Sequence, residues 1–169
     1  LRRQRQMCIR DRLMSANASR LATFKTIEQA ISDAIISEDE IADRASNELF
    51  QIRRKMRACN ERVRERLNGM IHNPNFQKYL QDAIITMRAD RYVLPVRQEY
   101  RSMVPGIVHD QSSTGATVFI EPMSVVEIGN ELKQLISAEK AEIERILRML
   151  SAQIAPEADA IADLSLIHI

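Results

Sequence analysis

Between Val104 and Pro122 the chain reads VPGIVHDQSSTGATVFIEP, with His109 beside Asp110, two serines, and the F-x-E triplet Phe119-Ile120-Glu121. Histidine next to aspartate is a pairing that can hold a metal or move a proton. A hydrolytic metal site needs several converging His or carboxylate ligands, and this stretch offers no obvious third. His72 lies at the far end of a linker and His168 in the last residues of the chain. A polar turn in which Ser112 and Ser113 satisfy the local backbone accounts for the same residues, with contact of His109 to nucleic acid as the functional alternative. The F-x-E triplet could in principle drive an aromatic wedge between bases. It falls, however, on a predicted strand just before Pro122, where alternation sends Phe119 and Glu121 to one face and Ile120 to the other. The expectation is a structural role, with no catalytic residue and no metal ligand in the chain.

Arginines supply a second kind of chemistry. Arg88, Arg91, Arg97 and Arg101 bracket the stretch RYVLPVR. Arg91 and Arg97 are an even number of strand positions apart, so both can project from one face with Val93 and Pro95 between them. A planar guanidinium suits phosphate oxygens. Asp90, Glu99, Asp110 and Glu121 balance these four arginines in number, so a positive patch must come from geometry. A solvated face is the simpler alternative. Upstream, Arg53, Arg54, Lys55, Arg57, Arg62, Arg64 and Arg66 stand against only Glu48, Glu61 and Glu65. Arg57 and Arg64 are the candidates there for contact with a phosphate backbone, set against the ordinary wet face of a coiled coil.

These residues must be held by regular elements. From Ser15 to Ile36, Leu21, Phe24, Ile27, Ile31 and Ile35 recur at helical spacing, and the acidic run Ser37 to Asp43 reads as a connector or short extended piece. Ser46 suits an N-cap, with Glu48 in the first turn where negative charge favours the helix dipole. Leu49, Ile52, Met56, Cys59 and Val63 repeat at steps of three and four, a heptad seam over Ser46 to Ile71. Asn68-Gly69 and Asn73-Pro74-Asn75 punctuate its end. A second rod is expected over Met123 to Gln153 with Ile128, Leu132, Leu135, Ile143, Ile146 and Leu150 on its stripe, and Glu139 as an imperfection. Between the rods, AIITMR and RYVLPVR flank the tight turn Ala89-Asp90, and Pro95 argues that the second strand is an edge or bulged. GIVHDQ and ATVFIE form another pair around Ser112 to Gly115.

The chain of 169 residues is 45% hydrophobic, 28% charged and only 4% aromatic, without Trp. That composition favours helices over a β-sandwich. Cys8 and Cys59 show no metal or redox spacing, which points to a reduced cytoplasmic setting. No apolar run approaches a membrane span. Residues 1–12 (LRRQRQMCIRDR) and 164–169 (LSLIHI) read as non-native, adapter-like tails; the alternative for the first is a natural basic arm that binds nucleic acid. The first carries five arginines and one aspartate, so the net charge of +1 rests on it.

The stretch from Asp82 to Leu132, above all DRYVLPV, GIVHDQSSTGATVFIEP and NEL, resembles the clamp and returning lever helix of bacterial MutS-type ATPases. Within that family it is most similar to the type-two paralogues, the MutS-two endonucleases, from about Leu13 to Ile161. The resemblance implies a mostly α fold with a small β tip: a long antiparallel coiled-coil hairpin, the lever, carrying a short antiparallel β clamp. Divided so, residues 13–45 are a helical core segment, 46–75 the first lever helix, 76–122 the clamp, and 123–163 the returning helix and core. It also implies homodimers that bind branched DNA, limit homologous recombination and act on stalled or collided ribosomes, with ribosomal RNA as a further contact. ATP and Mg would belong to an ATPase domain and cleavage to a nuclease domain. The glycines here are Gly69, Gly106, Gly115 and Gly129, none followed by Lys, so no phosphate-cradling G-x-x-x-x-G-K loop is present. For this piece the expectation is grip on nucleic acid without cofactor or small-molecule substrate. The alternative is a coiled-coil arm that docks on protein or ribosome.

Overall fold

A computed structural model describes residues 23–166. The expected tail at 1–12, the beginning of the expected first helix, and residues 167–169 lie outside the described residues. The fold is mostly helical with two small antiparallel sheets. It divides into two compact units, residues 23–46 with 143–166, and Asn47–Glu142.

In the first unit, helix α1 (Lys25–Ala34) stops short of the expected Ile36. Ile35–Ser37 instead forms β1, paired antiparallel with β2 (Glu40–Ile41), and the Ala42 N–H donates to the Ala34 carbonyl at 2.8 Å. Consecutive β-branched residues followed by the turn-forming Glu38-Asp39 favour a miniature hairpin over another helical turn. The acidic run is thus a short extended piece, as one of its two readings has it, and at this end of the expected helix only Ile35 and Ile36 depart from it.

Ser46, with extended backbone, precedes helix α2 (Asn47–Ile71). Its expected seam is inward: Leu49, Ile52, Cys59 and Val63 are buried, Met56 is half-buried, and the stripe continues through Leu67 and Ile71. Helix α3 (Met123–Ile154) starts directly after the last strand and crosses from the second unit into the first. It is followed by a 3-10 turn, Ala155–Glu157, and helix α4 (Ala158–Leu166), which runs across the boundary expected at residue 163. Within the second unit α2 and α3 run antiparallel. Arg53 meets Glu139 at 2.6 Å, Arg62 meets Glu131 at 2.7 Å, and Ser124 Oγ lies 3.7 Å from Met70 Sδ. Advancing along α2 means retreating along α3. Glu139, the apparent flaw in the second seam, is therefore answered across the pair by Arg53, each side chain about one-fifth exposed.

The strands between the helices form one sheet in the order β3-β4-β6-β5: Thr86–Arg88, Arg91–Arg97, Thr117–Pro122 and Gly106–Gln111. Ala89 and Asp90 both take positive φ, 49° and 60°, the geometry of a two-residue type I′ hairpin. β4 is interior and unbulged, contrary to the expectation drawn from Pro95. Its missing N–H is tolerated because β3 has already ended there. On that side the Pro95 carbonyl accepts from the Gln81 N–H, and Leu80 bridges Val96. The bulge lies in β5, where His109 is the extra residue between Val108 and Asp110. One face of the sheet, with Leu94, Val96, Val118 and Ile120, closes on Val63, Leu67 and Ile71 of α2 and Val125 of α3. The sheet is thereby seated against the end of α2 and the beginning of α3.

Candidate nucleic-acid interface

The four tip arginines do not share one environment. Arg91 opens β4 and Glu121 lies near the end of β6, and both line a cavity with Val63, Tyr92 and Val125 at the margin of the apolar cluster. Their side chains are 16% and 2% exposed, and Arg91 Nη1 donates to Glu121 Oε1 at 3.1 Å. The bulge turns His109 toward the same carboxylate, Nε2 to Oε2 at 2.7 Å. Arg91 Nη2 reaches Asn130 Oδ1 on α3 at 2.7 Å. Helix and sheet approach this closely because residue 129 is glycine: a Cβ there would lie 2.6 Å from Glu121 Oε1 and 2.7 Å from Arg91 Nη1. Isolated, a carboxylate this deeply buried would be costly; an arginine and an imidazole satisfy both of its oxygens. Among the described residues, no group of three His, Cys, Asp or Glu side chains could hold a metal.

Arg88 is in an intermediate state. Its Nε pairs with Asp110 at 3.1 Å, its Nη1 donates to the Met87 carbonyl at 2.8 Å, and its guanidinium lies 4.3 Å over the Phe119 ring. Both outer members of F-x-E are thus engaged inside the fold, Phe119 under Arg88 and Glu121 in the ion pair. The following turn is closed by Ser112: its Oγ accepts from the Thr117 N–H at 3.0 Å, and its carbonyl accepts from Gly115, whose φ is +74°.

At the opposite end of β4, Arg97 is exposed beside a shallow groove shared with Gln81, Gln98, Glu99 and Thr114. Arg101 follows in the 3-10 helix Gln98–Met103 and is exposed too. Among the described residues neither side chain has a hydrogen-bond or ion-pair partner. The backbone N–H of Arg97 donates to Tyr79, whose ring meets Tyr100 at 5.4 Å and carries Lys78 Nζ 5.0 Å from its centroid. Lys78, Arg97 and Arg101 therefore gather at this end, with Asp82 and Glu99 exposed nearby in the chain.

Pairing between the helices absorbs part of the α2 surplus: Arg53 and Arg62 are matched by α3 carboxylates. Hydrogen bonding from Arg62 holds the Glu131 carboxyl below its usual range, and the Cys59 sulfur, 3.0 Å from Arg62 Nη2, helps keep that guanidinium charged. Arg57 and Arg64, one heptad apart, are both exposed.

The arrangement thus separates two of the residues expected to act together. Arg91 and His109 are engaged internally, whereas Arg97 and Arg101 are available. Sequence reasoning missed Lys78, Asn130 and Gly129. Of these, Lys78 carried no signal; Gly129 is a lone Gly inside a helical pattern, which often marks a close packing contact, and Asn130 opens the NEL stretch without being given a role.

No family model matches the chain. It is 54% identical over 142 residues to a protein of Clostridioides difficile (strain 630) named Endonuclease MutS2, covering 84% of this chain and 18% of that protein. Proteins of the same name from Pelotomaculum thermopropionicum and Clostridium perfringens (strain SM101) are 54% and 51% identical over 85% and 89% of the chain. The chain spans 18% and 19% of their lengths. Over most of its length, the chain is thus a MutS2-like segment of the bacterial MutS-type family.

Proposed function

We propose that the unit Asn47–Glu142 is a clamp on a lever, with α2 and α3 as a coiled-coil hairpin and the sheet as a tip that grips a phosphate backbone. The observation that carries this reading is the contrast in charge. Arg97 and Arg101 stand exposed, and without a side-chain partner among the described residues, at the end of β4 away from Arg91, where a polyanion can reach them without breaking a pair among those residues. Lys78 adds a third cation, and Arg57 and Arg64 extend the positive surface along α2. Such binding is nearly independent of sequence and strongly dependent on salt. Arg88 can contribute at its exposed side; Arg91 and His109 are poorly disposed to do so. In the complete cytoplasmic protein, a homodimer with ATP, Mg and nuclease chemistry in other regions, the clamp would hold branched DNA and so limit homologous recombination. The same grip on ribosomal RNA would serve at stalled ribosomes.

The test is retention on heparin and binding of a four-way DNA junction by the wild-type chain and an Arg97→Glu, Arg101→Glu variant. The variant is expected to elute earlier, with a salt slope shallower by about two. Equal retention and equal slope would remove the tip from nucleic-acid binding. A second reading, an arm that docks on protein, draws on Met103, Ile107 and Met123, all exposed, with the Met123 N–H bonded to the Pro105 carbonyl close to them. It gains if Met103→Ser and Ile107→Ser abolish ribosome association while junction binding is retained.

A further inference from the structure

We infer that Glu121 is a positioning residue with two linked effects: it joins the sheet to helix α3, and it withholds Arg91 from the nucleic acid that the far-end arginines grip. The second effect rests on the nucleic-acid reading above; the first does not.

Four residues from separate elements are joined here by three hydrogen bonds. Glu121 comes from β6, Arg91 from β4, His109 from the β5 bulge, and Asn130 from α3 through Arg91. A bulge re-aims a side chain, and this one directs His109 onto the only oxygen of Glu121 that Arg91 leaves open. Gly129 removes the Cβ that would otherwise keep α3 away. The joint therefore depends on a bulge, a glycine and a buried charge at once. Arg91 is nonetheless close to solvent: with Asn130, Lys133, Gln134 and Ser137 it lines a shallow groove. Without the Glu121 charge, the guanidinium is left in a poor environment and has a short path to water beside Lys133. A released arginine there becomes one more contact for a phosphate.

Salt dependence distinguishes this role from simple structural support. Junction binding by the full chain is measured across a salt series for wild type, Arg91→Gln, Glu121→Gln and the double variant. Arg91→Gln is expected to leave the slope unchanged, and Glu121→Gln to steepen it by about 0.9, the value of one phosphate contact. The double variant should return to the wild-type slope, since the arginine whose release adds the contact is then absent. A shallower slope for Arg91→Gln, or an unchanged slope for folded Glu121→Gln, would overturn the withholding role.

Hydrogen exchange tests the joint without any ligand. Glu121→Gln should speed exchange in 106–111 and 123–130 together, about tenfold or more, while the α2 amides 52–67 hold. His109→Gln should do the same to a smaller degree and serves if the first variant folds poorly. Faster exchange in only one of the two segments would overturn the joint. Should the Arg97→Glu, Arg101→Glu variant bind as wild type does, the nucleic-acid reading and withholding fail together, and exchange alone decides the joint.

Discussion

The two ends of β4 carry the same residue type and behave in opposite ways. Arg91 is 16% exposed and has a carboxylate and an amide for partners; Arg97 is exposed and its side chain has none among the described residues. Six positions of even alternation put both on one face, but the face is not uniform along its length. At the Arg91 end the strand runs beside α3, so any charge must be matched or expelled. At the Arg97 end the neighbours are the Tyr79–Gln81 segment, the Gln98–Met103 turn and the β5–β6 hairpin, and the arginine stays exposed among them. An arginine at the first end is a structural cation, and at the second a cation available to a partner. Local surroundings decide the role.

The largest expected effect breaks this contrast directly. Arg91→Ala leaves Glu121, 2% exposed, with only His109 as a polar partner, and should cost about 3 kcal/mol in a urea melt, the lower end for a broken buried pair. Arg97→Ala should shift stability by no more than about 0.5 kcal/mol. If the two substitutions cost the same, the proposed difference between the ends is wrong. Replacing the pair by Arg91→Met with Glu121→Leu should restore most of the loss, since well-packed apolar side chains often match a buried ion pair.

Gly129→Ala comes next. In an exposed helix interior this change gains about 0.8–1 kcal/mol from propensity alone. Here the new methyl group meets Glu121 Oε1 and Arg91 Nη1 well inside contact distance. One of them must move, so we expect a net loss of about 1–2 kcal/mol, read as a lower midpoint in the same melt. Gly69, where an added Cβ meets nothing within 4 Å, is the matched control and should gain.

Much of the fold was legible because periodicity reports burial. The α2 seam, the Ala89-Asp90 hairpin and the strands GIVHDQ and ATVFIE all lie where spacing and turn chemistry put them. The failures have local causes. Ile35 and Ile36 fit a helical stripe and a strand equally well, and the Glu38-Asp39 turn decides between them. Pro95 signals a missing ladder bond, but an interior strand can host it where its neighbour ends. For the site, composition gave four balanced arginines and carboxylates, and only geometry could say which were already matched. The Arg91–Glu121 pair spans thirty positions, and the bulge that brings in His109 leaves no mark in the local pattern. Lys78 was passed over because its neighbours look like linker.

The Ala89-Asp90 turn offers a smaller, stabilising test. Both residues hold left-handed backbone, which costs most residues and suits Asn-Gly. Ala89→Asn with Asp90→Gly should stabilise by about 1 kcal/mol. Because this turn adjoins Arg91, the gain should persist in Arg97→Ala and shrink in Arg91→Ala if the near end folds as a unit. Equal gains in both backgrounds would make the two ends energetically independent.

The smallest effect concerns Glu131, the exposed counterpart of Glu121. Its hydrogen bond to Arg62 depresses its pKa in the folded chain. A carboxylate depressed in this way adds stability above its unfolded pKa, and that contribution is lost as pH falls through the folded value. Glu131 and Arg62 are about half exposed, so water and salt screen the pair and the effect on the melt should be slight. The more sensitive measurement is the carboxyl titration itself by NMR. Arg62→Gln should move the Glu131 midpoint up toward the ordinary glutamate range, and added salt should move the wild-type midpoint the same way. Salt should act far less on the Arg91–Glu121 pair, which the surrounding protein shields from mobile ions. If added salt weakened both ion pairs equally, as double-mutant cycles for stability would read it, Glu121 would be as wet as Glu131, and the distinction between a locked and an open end of the sheet would lose its physical basis.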